Sequence, residues 1–208
     1  MDIVDPRIDD YLTRTLAFDH PVLREMAEYG YSREFPIVGP QVGPLLRILA
    51  LSIDARRVLE LGSGFGYSAM WFALAVGEGG QVVMTEGDQG NVDRARDYFQ
   101  RAGMLDRAVF NVGSALDIAR KTPGPFDVVF CDIDKQDYPA ALAVAREKLR
   151  VGGYFICDNM LRAGRVLTET DAGTRGVLEL TRQLMTATDF VTTIVPVRDG
   201  VSISLRVS

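Results

Sequence analysis

Short apolar runs alternate with amphipathic stretches along most of the chain, and the alternation predicts its elements. The run from Arg57 to Leu61 reads as a buried strand, as do 81–86, 107–112, 126–132 and 153–158. Between them, segments 66–77, 89–102, 114–121 and 137–149 carry helical patterns. Strands alternating with helices of this length predict a parallel sheet covered by helices on both faces, with right-handed crossovers. The rhythm changes at the end. A helix over 173–187 precedes two β-rich runs, Phe190 to Val197 and Val201 to Val207, joined by Arg198-Asp199-Gly200, so the last strand is expected to be antiparallel to its neighbour. Ahead of this pattern, 5–18 and 21–31 read as helices, the second opened by Pro21, and 37–44 reads as a turn-rich approach to a helix over 45–51. The expectation is an α/β fold: a doubly wound, mostly parallel seven-stranded sheet with an antiparallel C-terminal strand, plus N-terminal helices. The chain, 1–208, is read as one domain with a helical segment over 1–52 and an α/β core over 53–208.

Composition narrows the function more than the fold. Hydrophobic residues make up 47% of the chain and charged residues 25%, an ordinary balance for a globular protein. A net charge of −5 disfavours nucleic acid and anionic membranes as partners. No apolar run reaches the roughly 18 residues of a membrane span. The first residues lack a basic, apolar leader pattern, so a cytoplasmic location is expected. Cys131 and Cys157 fall in predicted buried strands, as reduced structural thiols rather than a disulfide or metal pair. The single histidine, His20, reads as a loop or cap residue, which argues against a multi-histidine zinc site or a Ser-His-Asp triad.

The candidate chemistry begins where the strand at 57–61 gives way to Gly62, Gly64 and Gly66 and then a helix. Glycines there let backbone N–H groups approach a ligand, and the helix points its positive end at the same spot. The spacing is G-x-G-x-G, one residue short of the dinucleotide fingerprint, which argues against an NAD-dependent oxidoreductase. The strand at 81–86 ends in Glu86, about 20 residues beyond the glycines, where an acid suits the hydroxyls of an adenosine ribose.

A second cluster lies at the carboxyl ends of two later strands, where ligands bind in such sheets. Asp132, Asp134 and Lys135 end one strand, and Asp158 and Asn159 end the other. If these strands are neighbours, about 4.8 Å apart, Asp132 and Asp158 repel unless a cation lies between them. Two carboxylates and the Asn159 amide oxygen form a hard donor set suited to Mg²⁺.

These residues resemble the class I S-adenosylmethionine-dependent, metal-dependent O-methyltransferases, which include catechol and caffeoyl-CoA O-methyltransferases and small bacterial relatives. The resemblance runs from about Ile37 to the C-terminus. It rests on Glu60-Leu61-Gly62-x-Gly64-x-Gly66-Tyr67-Ser68, Glu86, Asp132-x-Asp134-Lys135-x-x-Tyr138, Asp158-Asn159 with Gly164-Arg165-Val166, and Pro196-Val197-x-Asp199-Gly200. It implies a Rossmann-like fold that binds S-adenosylmethionine at Val38, Glu60, Gly62, Tyr67, Ser68, Glu86 and Ala115, with Gly64, Gly66 and Asp132 beside them. It further implies Mg²⁺ or another divalent cation on Asp132, Asp158 and Asn159, Lys135 as the catalytic base, and a homodimer.

The implied reaction is methyl transfer to a hydroxyl of a catechol-like phenolic acceptor. A phenol with a pKa near 10 needs a cation and a base to become a nucleophile at neutral pH. Two features depart from the family pattern. Arg162 stands where relatives often carry a tryptophan, which suits an acidic or phosphorylated acceptor. Gly113-Ser114-Ala115 replaces a segment in which relatives often place an acid for the adenine, so backbone contacts are expected there. Trp71 reads as core. The rival readings are a metal-independent methyltransferase and a non-catalytic S-adenosylmethionine-binding protein.

Overall fold

The apolar runs do form the sheet. In the computed structural model, which describes residues 3–16, 20–168 and 171–208, they are β1 (Arg57–Leu61), β2 (Gln81–Glu86), β3 (Ala108–Val112), β4 (Phe126–Cys131) and β5 (Leu149–Cys157). The hairpin follows as β6 (Phe190–Val195) and β7 (Val201–Arg206). The order across the sheet is β3-β2-β1-β4-β5-β7-β6. β1 to β5 pair in parallel, and β7 runs antiparallel to both β5 and β6. The strand order reverses between β1 and β4, and such a switch point opens a crevice beyond the carboxyl ends of the strands.

Alternate strand residues supply two cores because β side chains point to opposite faces. Val58, Val82, Met84, Val128, Phe130 and Ile156 meet α2 (Pro21–Ser32), α3 (Gly39–Ser52), α4 (Tyr67–Val76) and α5 (Gln89–Arg101). Leu59, Leu61, Val83, Val129, Cys131, Phe155 and Cys157 face α6 (Ala115–Lys121), α7 (Tyr138–Lys148) and α8 (Ala172–Thr186). Both cysteines are free and buried, and they are register partners on β4 and β5. Trp71 is core, 1% exposed. At the amino ends of the strands, Asp127 accepts the Arg56 and Arg57 amides at 2.8 Å and Arg150 Nε at 2.6 Å. Burial pushes its carboxyl up, but Arg150 and the two amides outweigh that and hold it below the usual carboxylate range. This one side chain therefore ties β1, β4 and β5 together.

The N-terminal segment differs from expectation at one point. α1 (Pro6–Thr15) lies within the helix predicted over 5–18, whose residues 17–18 are outside the described residues, and His20 caps α2 through Nδ1, which accepts the Leu23 amide. The stretch read as turn-rich, however, is already helical from Gly39. Pro40 lies in the first turn, where its missing N–H has no intrahelical partner to lose, and Pro44 sacrifices one bond. Burial of Gln41, Val42, Leu46 and Ala50 outweighs that loss. β5 likewise begins at Leu149 rather than at Gly153, through a register shift opposite Phe126–Val128. Among the described residues no helix is long and apolar enough to cross a membrane.

Candidate active site

A cavity of about 600 Å³ opens at the switch point. Its wall includes Val38, Gly62, Gly64, Tyr67, Ser68, Glu86, Ala115, Asp132, Lys135, Asp158 and Asn159, which the sequence had singled out. Two further candidates stand behind the wall. Gly66 is the N-cap of α4 (φ 88°), and Glu60 is fully buried.

The glycine loop is pinned rather than loose. A Cβ on Gly62 (φ 82°) would lie 2.4 Å from the Asp132 carbonyl oxygen, so only glycine lets the end of β1 pass this close to the end of β4. The Gly62 amide donates to Thr85 Oγ1 at 3.2 Å, and the Gly64 amide to Glu86 Oε2 at 2.9 Å. The Glu86 Oε1 atom accepts the Asp88 amide at 2.9 Å and Asn91 Nδ2 at 3.3 Å, which leaves lone pairs of its carboxylate for ligand hydroxyls. Beneath the loop, Glu60 Oε1 accepts the Ser68 hydroxyl at 2.5 Å, while Oε2 is buried without a partner. Burial pushes the Glu60 carboxyl up to about 7; the Ser63 and Ser68 hydroxyls oppose the rise, and the charges of Asp132 and Glu86 add to it. A ligand carrying hydroxyls for Glu86 fits this half of the cavity.

The other half is acidic. Asp132 and Asp158 each follow a register-paired cysteine, Cys131 or Cys157, so they stand on neighbouring strands at the same end of the sheet. Their amides are anchored to the Leu61 carbonyl at 2.9 Å and the Cys131 carbonyl at 3.2 Å. The phenol of the buried Tyr138 donates to the Asp158 carbonyl at 2.8 Å. Lys135 Nζ donates to Asp132 Oδ1 at 2.6 Å, so an ammonium already neutralises one acid. Asp158, 6% exposed, has no lysine or arginine ion pair among the described residues. Burial pushes its carboxyl up to about 7, and the Asp132 charge adds to the rise against the opposing Asn159 amide, Lys135 and Arg198.

Among the described residues no group of three or more His, Cys, Asp or Glu side chains could hold a metal. Any cation here would therefore depend on the two acids, the Asn159 amide oxygen and oxygens from water or substrate. That all-oxygen set fits Mg²⁺, which keeps several waters. Asn159 reaches the rim from a left-handed backbone conformation (φ 56°), which asparagine tolerates better than most residues.

The turn carrying Lys135 is set by α8, because a Cβ on Gly176 would fall 2.1 Å from the Lys135 carbonyl oxygen. Several wall residues had not been singled out from sequence, among them Phe35, Ser63, Thr85 and Ile133. Thr85 left a signal: it is a polar residue in an apolar strand, fully buried, and it donates to the Glu60 carbonyl at 2.8 Å. Phe35 left none, since its place depends on how the N-terminal helices pack against Phe65, 5.0 Å away between ring centroids.

Comparison with known proteins agrees with this architecture. The family model described as O-methyltransferase matches residues 13–207. The chain is 38% identical over 183 residues to the catechol O-methyltransferase of Mycobacterium tuberculosis, covering 86% of this chain and 83% of that protein. The solved structure of the O-methyltransferase TomG from Streptomyces achromogenes, involved in tomaymycin synthesis and in complex with S-adenosylmethionine, superposes with a TM-score of 0.88 at 29% identity over 97% of this chain and 96% of that one. The O-methyltransferase from Bacillus cereus, in complex with S-adenosylhomocysteine, gives 0.87 at 29% identity over 96% and 97%. The chain belongs to the O-methyltransferase family and is, as the sequence resemblance implied, an O-methyltransferase of the S-adenosylmethionine-dependent class.

Proposed function

We propose that this enzyme methylates one hydroxyl of a catechol-like small molecule, with Mg²⁺ or a similar divalent cation held by Asp132, Asp158 and Asn159. The observation that carries the proposal is the buried Asp158 carboxyl beside Asp132, without a lysine or arginine ion pair among the described residues, on the wall of the cavity that the glycine loop also lines. A cation there would relieve the repulsion and offer open positions to two adjacent hydroxyls.

S-adenosylmethionine, when bound, would supply a sulfonium-bound methyl group, whose carbon an acceptor oxygen would attack in line as the C–S bond breaks and S-adenosylhomocysteine leaves. Mg²⁺, when bound, lowers the pKa of a phenol within its reach. The protein's own work is positioning and proton transfer. Glu86 accepts from the ribose hydroxyls, and Glu60, through the Ser68 hydroxyl, braces the start of α4 beneath the cavity. Tyr138 holds the Asp158 backbone, and α8 holds the turn of Lys135. Lys135 Nζ, held on Asp132 Oδ1, is the group placed to take the proton of the attacking hydroxyl. A second reading, transfer without metal, is favoured by one contact: Lys135 Nζ already neutralises Asp132.

The test is calorimetry of the protein with S-adenosylhomocysteine and then with a catechol, with and without Mg²⁺, alongside product analysis. The expected result is acceptor binding and turnover only with metal, both lost in Asp158→Ala while S-adenosylhomocysteine still binds. Turnover unaffected by chelation would select the metal-free enzyme. Cofactor binding with no methylated product across a broad phenol panel would select a binding protein instead.

A further inference from the structure

The loop that follows Asp158 and Asn159 carries a guanidinium with too few partners. Arg162 leaves only 18% of its side chain exposed, and its Nε is buried with no hydrogen bond. Among the described residues its one anionic contact is Asp171 Oδ1, at 3.4 Å through Nη2. That carboxylate is already engaged as the N-cap of α8, where it accepts the Thr174 amide at 3.0 Å and the Thr174 hydroxyl at 2.5 Å. These contacts hold the Asp171 carboxyl down at about 2. Arg162 thus brings five fixed N–H donors to one long, shared contact, although a guanidinium is built for two parallel bonds to an oxyanion.

Its placement says where the missing oxyanion belongs. The position a Cβ on Gly173 would take has Arg162 Nη2 at 3.1 Å and the Lys135 Cβ at 3.4 Å, so the guanidinium lies beside the stem of the cavity's lysine. The backbone is fastened there as well. The Met160 and Leu161 amides donate to the Gly200 and Asp199 carbonyls at 2.9 and 2.8 Å, and the Ala163 amide donates to Asp199 Oδ1 at 2.5 Å. Arg198, in the same fastened pair of loops, reaches Asp158 with its positive charge.

We propose that Arg162 is a specificity-determining residue whose guanidinium pairs with a carboxylate on the acceptor, so that the preferred acceptor is a catechol bearing a carboxylic acid rather than a neutral catechol. This rests on the catechol reading above and adds the acid group to it. An arginine here selects charge and geometry together, because a planar carboxylate matches the guanidinium fork and an ester does not.

The test compares kcat and KM for 3,4-dihydroxybenzoate and 3,4-dihydroxyphenylpropanoate with those for their methyl esters, in the wild type, R162Q and R162K. S-adenosylhomocysteine affinity checks that each variant is folded. The wild type is expected to favour at least one acid over its ester by roughly tenfold or more in kcat/KM, the scale of a charge-assisted pair. In R162Q the acid-to-ester ratio falls towards one through a rise in KM for the acid, and R162K, which keeps the charge but not the fork, gives an intermediate ratio. Equal use of acid and ester by the wild type, or a ratio unchanged in R162Q, overturns the anchoring role while leaving the catechol reading intact. No turnover of any acid or ester by the wild type overturns the catechol reading and this inference with it.

Discussion

Glu60 has no exposed surface, and its carboxyl is raised to about 7 by burial. An acid whose folded pKa exceeds its ordinary value of 4.5 binds more protons folded than unfolded, so its contribution to stability is full below about 4.5 and falls as pH rises through about 7. The loss approaches about 3 kcal/mol above that window. Glu60→Gln keeps a group that can pair with Ser68 and removes the ionisation. Urea unfolding from pH 4 to 8 without cofactor is expected to show the variant gaining on the wild type as pH rises through that window. Parallel pH profiles would show that Glu60 does not ionise under strain. The glutamate was visible in sequence as the one charge in the run Arg57 to Leu61 after its first residue; its burial under Ser68 was not, because that depends on how α4 returns over β1.

At the scale of elements, two packing contacts shape the candidate site. Gly62 lets the end of β1 graze the end of β4, and Gly176 lets α8 press on the turn that holds Lys135. Gly176→Ala improves helix propensity by up to about 1 kcal/mol but places a methyl 2.1 Å from the Lys135 carbonyl oxygen. The turn must move, and shifts of about 1 Å in catalytic groups lower rates by about a hundredfold. Steady-state kinetics are expected to show kcat down roughly ten- to a hundredfold, with the Kd for S-adenosylhomocysteine within about twofold, since α8 supplies no residue to the cavity wall. An undiminished kcat would show that this contact does not position a group the reaction needs. The strands were legible because apolar runs bounded by polar turns have few alternatives. The start of α3 was not, since the proline and glycine turn signals of 39–44 are overridden by the buried face that α3 presents to its neighbours.

For the whole molecule, the cavity joins residues 35–38 to loops after β1, β2, β3, β4 and β5, so one ligand bridges most of the chain. A ligand that binds only the folded state stabilises it by RT ln(1 + [L]/Kd), or about 2.7 kcal/mol at a hundred times Kd. For a chain of this size that is a rise in Tm of roughly 5–10 °C. Calorimetric scans with S-adenosylhomocysteine at that ratio are expected to show it. Glu86→Ala, which loses about 1.5–3 kcal/mol of binding, is expected to lose half or more of the shift at the same ligand concentration. A full shift in the variant would remove Glu86 from the ribose role.

The local pattern alone determined the strands, their parallel arrangement, the antiparallel ending, the glycine turn and the acids at the strand ends, because periodicity and turn chemistry act over a few residues. It picked out candidate residues for chemistry, since hard oxygens, a lysine and an acid at the end of the second strand belong to identifiable positions. Only the tertiary structure decided which of them meet. The register of β4 on β5 brings Asp132 and Asp158 to one edge, Gly62 and Gly176 let β1 and α8 come to contact distance of Asp132 and Lys135, and Arg162 is left, among the described residues, short of partners beside Lys135. These facts depend on long-range packing, in which residues distant in sequence compete for the same few ångströms.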